Sequence, residues 1–388
     1  MTDARTPTVP IKGRGAASRV AGRFEATHAH GEDDGWGSVY EDMLEAPRPA
    51  TIVTEESARS IISRNDSPDI GFTQSVNPYR GCEHGCVYCF ARPSHAYLDL
   101  SPGLDFETKL FAKTNAAELL RAEIARPSYR PRTITLGINT DGYQPIERTR
   151  RITRACLEVL ADARHPVSFV TKGALIERDL DLLAPMARDG LVSVHFSITT
   201  LDNQLASKLE PRASAPHAKL RAMRALHAAG VPVGVMVAPV IPMVTDAEME
   251  AILEAAREAG ARSAGYVLLR LPHELKAVWR EWLDLHVPER ANHVMSLVRQ
   301  MRGGKDYDAT FGTRMTGTGP FAQLIAQRFD KAYARLDYAR MPALATERFV
   351  RPALPAREAR ARPRPARPSP ATVTQASVPP ASPQGSLF

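Results

Sequence analysis

Three of the chain's four cysteines stand within eight residues, in the stretch NPYRGCEHGCVYCF (77–90), as Cys82, Cys86 and Cys89. A thiolate is a soft ligand, suited to zinc or to iron–sulfur clusters. Zinc ribbons use two CxxC knuckles, or one with a distant His pair. Here only three cysteines cluster, and neither His84 nor His95 falls at a standard zinc spacing. Cys86 and Cys89 alone would read as a thioredoxin-like CxxC, which leaves Cys82 without a part. Three thiolates suit a cubane cluster in which one iron carries no protein ligand. An open metal position is what a catalytic site keeps and a structural site closes.

Such chemistry needs a scaffold. Between Ile70 and Leu271 short β-branched runs alternate with longer helical patterns, the mark of repeated βα units and a parallel sheet. Strands are expected over 133–139, 167–172, 191–200, 231–239 and 265–271, after one that leads into the cysteines, which makes six units. Their two faces differ. In 191–200, Val192, Val194, Phe196 and Ile198 share one side, while Ser193, His195, Ser197 and Thr199 share the other. A doubly wound sheet, buried on both faces, would read apolar throughout. A polar face on strands that are followed by helices describes a sheet curved around a wet or ligand-filled interior. Six units close less fully than eight, so the expected fold is α/β, a partial (β/α)6 TIM-like barrel with a lateral opening.

The ends differ in composition from this middle. The expected organisation is a largely irregular arm over 1–60, with Phe24 and Trp36 as its anchors, and the barrel over 61–275. A helical C-terminal extension over 276–345 and a disordered Pro/Ala/Arg-rich tail over 346–388 complete it. The net charge of +7 sits mostly in that tail: residues 351–388 hold six arginines against one acid, Glu358, and so carry +5 of it. A tail of this kind is a solvated linker that can hold polyanions weakly. No apolar stretch near Met1 has the form of a signal peptide, and no run of about eighteen apolar residues occurs. The expectation is a cytoplasmic protein without a membrane partner, where clustered thiols serve metal or catalysis rather than disulfides.

GCEHGCVYC is similar to the CxxxCxΦC signature of radical S-adenosylmethionine (radical SAM) enzymes, with Tyr88 as the aromatic Φ. Within that superfamily, NPYRGCEHGCVYCFARPSH, NTDGYQPIE and SITTLDNQLASKLEPRA most resemble the spore photoproduct lyase-related bacterial proteins, many of which lack an assigned substrate. The resemblance spans residues 70–275 and implies a radical SAM partial barrel with the cysteine loop after its first strand. It further implies Cys82, Cys86 and Cys89 as ligands to a 4Fe–4S cluster, with the amino and carboxylate groups of S-adenosylmethionine on the fourth iron. Reduction by an external electron donor would then yield a 5′-deoxyadenosyl radical that takes hydrogen from an unidentified substrate. Nucleic acid, in repair or modification, is the favoured class. The reaction type, lyase or oxidoreductase, stays unassigned, and no side chain receives a catalytic role.

The resemblance also distributes cofactor-binding parts, each beside a plainer one. Tyr88 would lie by the adenine, or simply pack against the cluster. Asn139 and Asp141, at the end of the second strand, take the place of the segment that binds the amino group, though NTDGYQP is also a good turn. Lys172 points inward only if an anion pairs with it, and is otherwise an exposed loop lysine. Ser197 and Thr199 suit ribose hydroxyls, or hydrogen bonds within the barrel. Arg212 could reach the methionyl carboxylate, or lie on the surface. His195 faces the interior by alternation, where a satisfied core histidine is the commoner fate. Cys156 falls on the apolar stripe of its helix and reads as core. One departure matters: spore photoproduct lyases carry a hydrogen-donor cysteine near the second-strand loop, and NTDGYQP has none. Thymine-dimer reversal by that route is therefore not implied.

The last five residues, QGSLF, are similar to the QLxLF-type peptide that docks bacterial repair and replication proteins on the sliding clamp, through Gln384, Leu387 and Phe388. Gly385 departs from the usual Leu. Against the enzymatic reading stands a non-catalytic metal- or cluster-binding protein that recruits partners through this tail. A methyltransferase variant would call for a second cysteine cluster, which the chain lacks.

Overall fold

The computed structural model describes residues 9–25 and 49–353. Trp36 and the peptide of Gln384, Leu387 and Phe388 lie outside the described residues. Ten strands are present there: β1 (Ile52–Glu56), β2 (Ile62–Arg64), β3 (Gln74–Val76), β4 (Tyr79–Arg80), β5 (Lys109–Lys113), β6 (Ile134–Leu136), β7 (Val167–Thr171), β8 (Val192–Ser197), β9 (Val233–Val240) and β10 (Ser263–Leu268). The larger sheet runs β10-β9-β8-β7-β6-β3-β2. Every pair in it is parallel except β2 with β3. The six barrel strands are thus β3 and β6 to β10, and among the described residues no ladder joins β10 back to β3. This is the expected partial (β/α)6 barrel, open on one side.

Helices α1 (Ala116–Ile124), α2 (Ile152–Asp162), α3 (Leu180–Arg188), α4 (Pro216–Ala228) and α5 (Met249–Glu258) connect successive barrel strands. The strand faces sort as their residue types demand. Val192, Val194 and Phe196 of β8 are fully buried in the core shared with Leu157, Leu183, Met223 and Ile252 of the helices. Each such side chain contributes about 1.5–3 kcal/mol by leaving water. Ser197, on the opposite face, hydrogen-bonds within the barrel to the Ala238 carbonyl at 3.0 Å. Cys156 is fully buried on the inner side of α2, in the same core.

The C-terminal helices α6 (Leu275–His286), α7 (Pro288–Gln300) and α8 (Gly319–Arg335) follow β10. Trp279 and Trp282 of α6 stack at 5.0 Å and belong to a second core with Cys86, Val87 and Tyr88, directly beneath the cysteine loop. No helix among the described residues is long and apolar enough to cross a membrane. Thr346–Arg351, expected at the head of the disordered tail, instead pack on the barrel. The Phe349 ring lies 5.3 Å from His165 and 5.9 Å from Tyr129, and the Val350 N–H donates to the Ala163 carbonyl at 2.8 Å. An aromatic ring and a strand-like hydrogen bond supply what the surrounding Pro, Ala and Arg composition concealed.

Residues 301–318 form a strap across the open side. At one end the Leu268 N–H donates to the Met315 carbonyl at 2.9 Å, and the buried Arg302 donates to the carbonyls of Leu269, Thr313 and Arg314. At the other end the Arg314 guanidinium grips Asp69, which lies between β2 and β3, with bonds of 2.6 and 2.7 Å. The strap therefore spans from the last barrel strand to the first. A two-point, charge-assisted pair of this kind fixes geometry better than a neutral hydrogen bond. Asp69→Asn is predicted to speed amide exchange across 302–318 by about tenfold or more, with β7 to β9 unchanged, as read by hydrogen-exchange mass spectrometry. Unchanged exchange in the strap would show that the latch does not hold it.

Candidate active site

The cysteine loop, Gly81–Phe90, leaves β4 at the carboxyl end of the barrel, the rim on which such folds present their functional groups. The loop has almost no regular structure of its own, so its carbonyls need outside donors. Arg92 supplies them. Fully buried, it uses all five of its N–H groups: Nε donates to Cys86 O at 2.8 Å, and the terminal nitrogens to Gly85 O, Pro102 O, Gly103 O and Glu107. Glu107, equally buried, also accepts from the N–H groups of Gly15 and Ala16 at 2.9 and 2.8 Å. The N-terminal arm is thereby laid on the outside of the loop, with Phe24 against Tyr97 further along. Gly85 has φ +66°, and a Cβ there would stand 2.3 Å from the Glu107 carboxylate, so only glycine fits this turn.

Cys82 and Cys86 are buried, Cys89 is half-buried, and all four cysteines are free. Burial, then Asp141 and Cys86, push the Cys82 thiol well up, and burial, then Glu210, pushes up Cys86. Cys89 is likewise raised by burial. Backbone N–H groups work the other way: Asp141 donates to Cys82, and Ala91 and Arg92 donate to Cys89. These thiols stay protonated unless a cation at their sulfurs offsets the desolvation. Among the described residues no three His, Cys, Asp or Glu side chains converge on a single ion. The three thiols are close enough to interact electrostatically, and thiolates are the ligands iron–sulfur clusters use.

Facing the loop is a buried charge network. Glu210 accepts from Tyr88 Oη, and pairs with Lys219 and, at 3.4 Å, with Lys172. Burial alone would raise its pKa, but Lys172 and Lys219 outweigh it and hold Glu210 down at about 2. Lys172, at the end of β7, also donates to Ser197 Oγ at 2.6 Å and Ala238 O at 3.3 Å, and lies 5.5 Å from the Tyr88 ring centre. Burial would lower its pKa, yet Glu210 and Cys86 raise it, so the ammonium stays charged. Tyr88 and Thr199 share a 2.9 Å hydrogen bond. Thus Tyr88, Lys172, Ser197 and Thr199, picked separately from the sequence, meet around one carboxylate.

The other expected residues lie at the edges of this group. Asp141 is saturated within the protein, accepting from Tyr143 N, Thr171 Oγ1 and Lys172 N at 2.7–2.8 Å and pairing with His84 at 3.3 Å. Burial opposes its ionisation, but these partners, His84 first, keep its pKa low. Asn139 is half-buried, and its N–H donates to Asn77 at 2.9 Å. Arg212 pairs with Glu83 at 2.9 Å and reaches Thr51 at 3.3 Å. His195 sits deeper, 3.3 Å from Ser263 Oγ, and burial lowers its pKa to about 4, so it is a neutral core histidine. Glu210, Lys219, Arg92 and Glu107 escaped the sequence reading. Lys219 did leave a trace: it falls on the apolar stripe of α4 with Ala222, Met223 and Leu226, where an unpaired lysine would be intolerable.

Fold and site agree with the similarities to known proteins. The Radical SAM superfamily model matches residues 76–256. An uncharacterized protein of Mycobacterium tuberculosis is 40% identical over 231 residues, 59% of this chain and 68% of that one. One of Methanocaldococcus jannaschii is 25% identical over 173 residues, 45% and 62% of the two chains. Among solved structures, a cysteine-to-serine mutant of spore photoproduct lyase superposes with a TM-score of 0.56 at 15% identity, covering 81% of this chain and 86% of that one. A second mutant of that lyase, with bound AdoMet and dinucleoside spore photoproduct, gives 0.55 at 14% identity over 80% and 85%. The chain belongs to the radical SAM superfamily, whose members use a 4Fe–4S cluster and S-adenosylmethionine, and it is a radical SAM enzyme.

The depressed pKa of Glu210 makes stability depend on pH. A carboxylate held at about 2 rather than 4.5 contributes stability that is fully present above 4.5 and is lost as pH falls toward 2. Glu210→Gln leaves Lys172 and Lys219 without their anion and should cost about 3–5 kcal/mol at neutral pH. In urea titrations at stepped pH, the gap between wild type and variant should narrow below 4.5. A gap that stays constant through that window would contradict the network.

Proposed function

We propose that the chain reductively cleaves S-adenosylmethionine at a 4Fe–4S cluster held by Cys82, Cys86 and Cys89, and uses the product to take hydrogen from a substrate in the barrel mouth. The observation that carries this reading is the placement of three free thiols in one buried loop at the carboxyl rim, directly against the Tyr88–Glu210–Lys172 group. When bound, the reduced cluster and the sulfonium together supply the electron transfer and bond homolysis that no side chain can.

The protein's own residues bind, orient and exclude. Cys82, Cys86 and Cys89 would hold the cluster as thiolates, helped by the backbone N–H groups of Asp141, Ala91 and Arg92. Tyr88 is fixed by Glu210 and Thr199 and offers its ring edge to the adenine. The hydroxyls of Ser197 and Thr199 serve the ribose, and the Asn139 amide serves the amino group. Asp141, its carboxylate saturated, acts as a positioning residue that fixes the turn beside Asn139. Lys172 and Arg212 offer positive charge to the methionyl carboxylate. The strap spans the open side and the Trp279–Trp282 core backs the cysteine loop, which would limit the groups that can reach the site. The arm, barrel and helical extension are read with their expected bounds as domains, the tail beginning only after the packed Thr346–Arg351, with the chain placed in the cytoplasm and its electrons drawn from an external donor.

For the substrate, nucleic acid is the class we favour. Support comes from the mutant of spore photoproduct lyase solved with a bound dinucleoside spore photoproduct. Docking on a sliding clamp through Gln384, Leu387 and Phe388 rests on sequence alone. The reading predicts that the full chain, anaerobically loaded with iron and sulfide, gains the visible absorption of an iron–sulfur cluster and forms 5′-deoxyadenosine from S-adenosylmethionine under dithionite. Cys82→Ala, Cys86→Ala and Cys89→Ala should each abolish both, while Cys156→Ala keeps both. A loaded wild-type chain that yields no 5′-deoxyadenosine would instead favour a non-catalytic cluster-binding protein.

A further inference from the structure

Several arginines that are buried or half-buried are answered by carboxylates: Arg92 by Glu107, Arg314 by Asp69, Arg154 and Arg178 by Asp179. Arg270 is not. It emerges just past the end of β10, and its guanidinium carbon lies 5.3 Å from the ring centre of Phe90, the residue that follows Cys89. The last barrel strand and the cysteine loop therefore meet at this pair. Its other contacts are weak: one terminal nitrogen reaches Met315 Sδ and the other Tyr307 Oη, both at 3.4 Å and both from the strap. Its Nε is buried with no acceptor. Arg302 lies near enough to feel the same charge, gives its bonds to backbone carbonyls, and also has an orphan Nε. Among the described residues no carboxylate forms an ion pair with either. Arg270 thus stands beside the exposed Phe90 with an unspent donor.

Phe90 defines what would fill the gap. It is 45% exposed, unusual for a phenylalanine beside a buried loop, and one side of it carries the Arg270 cation. A guanidinium fork matches the oxygens of a phosphate, and an open aromatic ring beside it is a platform on which a flat base stacks. We infer that Arg270 and Phe90 form a substrate subsite for a nucleotide, its phosphate on the guanidinium and its base on the free part of the Phe90 ring. A carboxylate-bearing peptide would satisfy Arg270 but leave the exposed ring without purpose. The inference rests on the radical SAM reading, because Phe90 takes its place from Cys89, and it deepens that reading by locating where a nucleic-acid substrate is held.

The test is fluorescence anisotropy with the full, anaerobically reconstituted chain and a fluorescein-labelled single-stranded hexanucleotide at fixed salt. Arg270→Gln should weaken binding by about tenfold or more, and Phe90→Ala by about fivefold. Arg270→Lys restores charge without the fork and should recover only part. The tail arginines are present in every form and cancel in the comparison. Phe90 is exposed, so Phe90→Ala carries the test should Arg270→Gln fail to fold. Equal affinity of wild type and variants for the oligonucleotide would overturn the inference. So would an acidic peptide of equal charge that binds as tightly and suffers the same losses. A chain that cleaves S-adenosylmethionine but binds the oligonucleotide equally in all forms defeats this inference alone. One that shows the Arg270 dependence without cleavage defeats the enzymatic reading alone.

Discussion

The buried pair of Arg92 and Glu107 is the constraint on which the site depends. The loop that carries the three thiols closes only isolated turns, such as Gly85 N–H to Cys82 O at 3.2 Å, so some of its carbonyls take side-chain donors instead. Arg92 gathers two of them, Gly85 O and Cys86 O, and Glu107 gathers the N–H groups of the arm from the far side. One ion pair thereby binds three chain segments that have no regular structure in common. Burying such a pair brings little net stability, since desolvation offsets most of the Coulomb gain. What it brings is geometry: a single arrangement of the loop, held before any metal arrives.

The same logic repeats inside the barrel. Lys172, Lys219 and Tyr88 converge on Glu210, and the anion holds Lys172 charged against burial and offsets part of the burial that lowers Lys219. Three neighbouring rim strands contribute: Lys172 just after β7, Ser197 and Thr199 at and just past the end of β8, the Ala238 carbonyl on β9. These polar groups line the face that the strand alternation turned inward, while the outward faces pack under the helices. Fold and site are thus one consequence of a period-two pattern with unlike sides.

Much of this was legible in the chain, and the reasons differ by residue. The βα alternation, the two-faced β8 and the cysteine spacing are local patterns, so the barrel and the thiol loop could be read directly. Cys156 was readable as core because it sits on a helical stripe. Glu210 and Lys219 were not, because what makes a buried charge tolerable is a partner distant in sequence: Tyr88 reaches Glu210 from the cysteine loop and Lys172 from just past β7. Arg92 and Glu107 escaped for the same reason. Thr346–Arg351 escaped because composition averages over a stretch and hides one phenylalanine that packs. The strap across the opening was equally invisible, since its latch joins Arg314 to Asp69 near the other end of the barrel.

Taken together, the cysteine loop, the charge network and the strap enclose a mouth in which a reactive fragment can be generated against a chosen substrate. All of it presumes that the polypeptide gives the cluster three ligands and leaves the fourth iron to the sulfonium cofactor. Electron–nuclear double resonance on the reduced, reconstituted chain tests this directly, using S-adenosylmethionine labelled at its amino nitrogen and carboxylate oxygen. The account predicts hyperfine coupling of both labels to the cluster. Absence of coupling, with a fourth protein ligand found on the cluster, would contradict it.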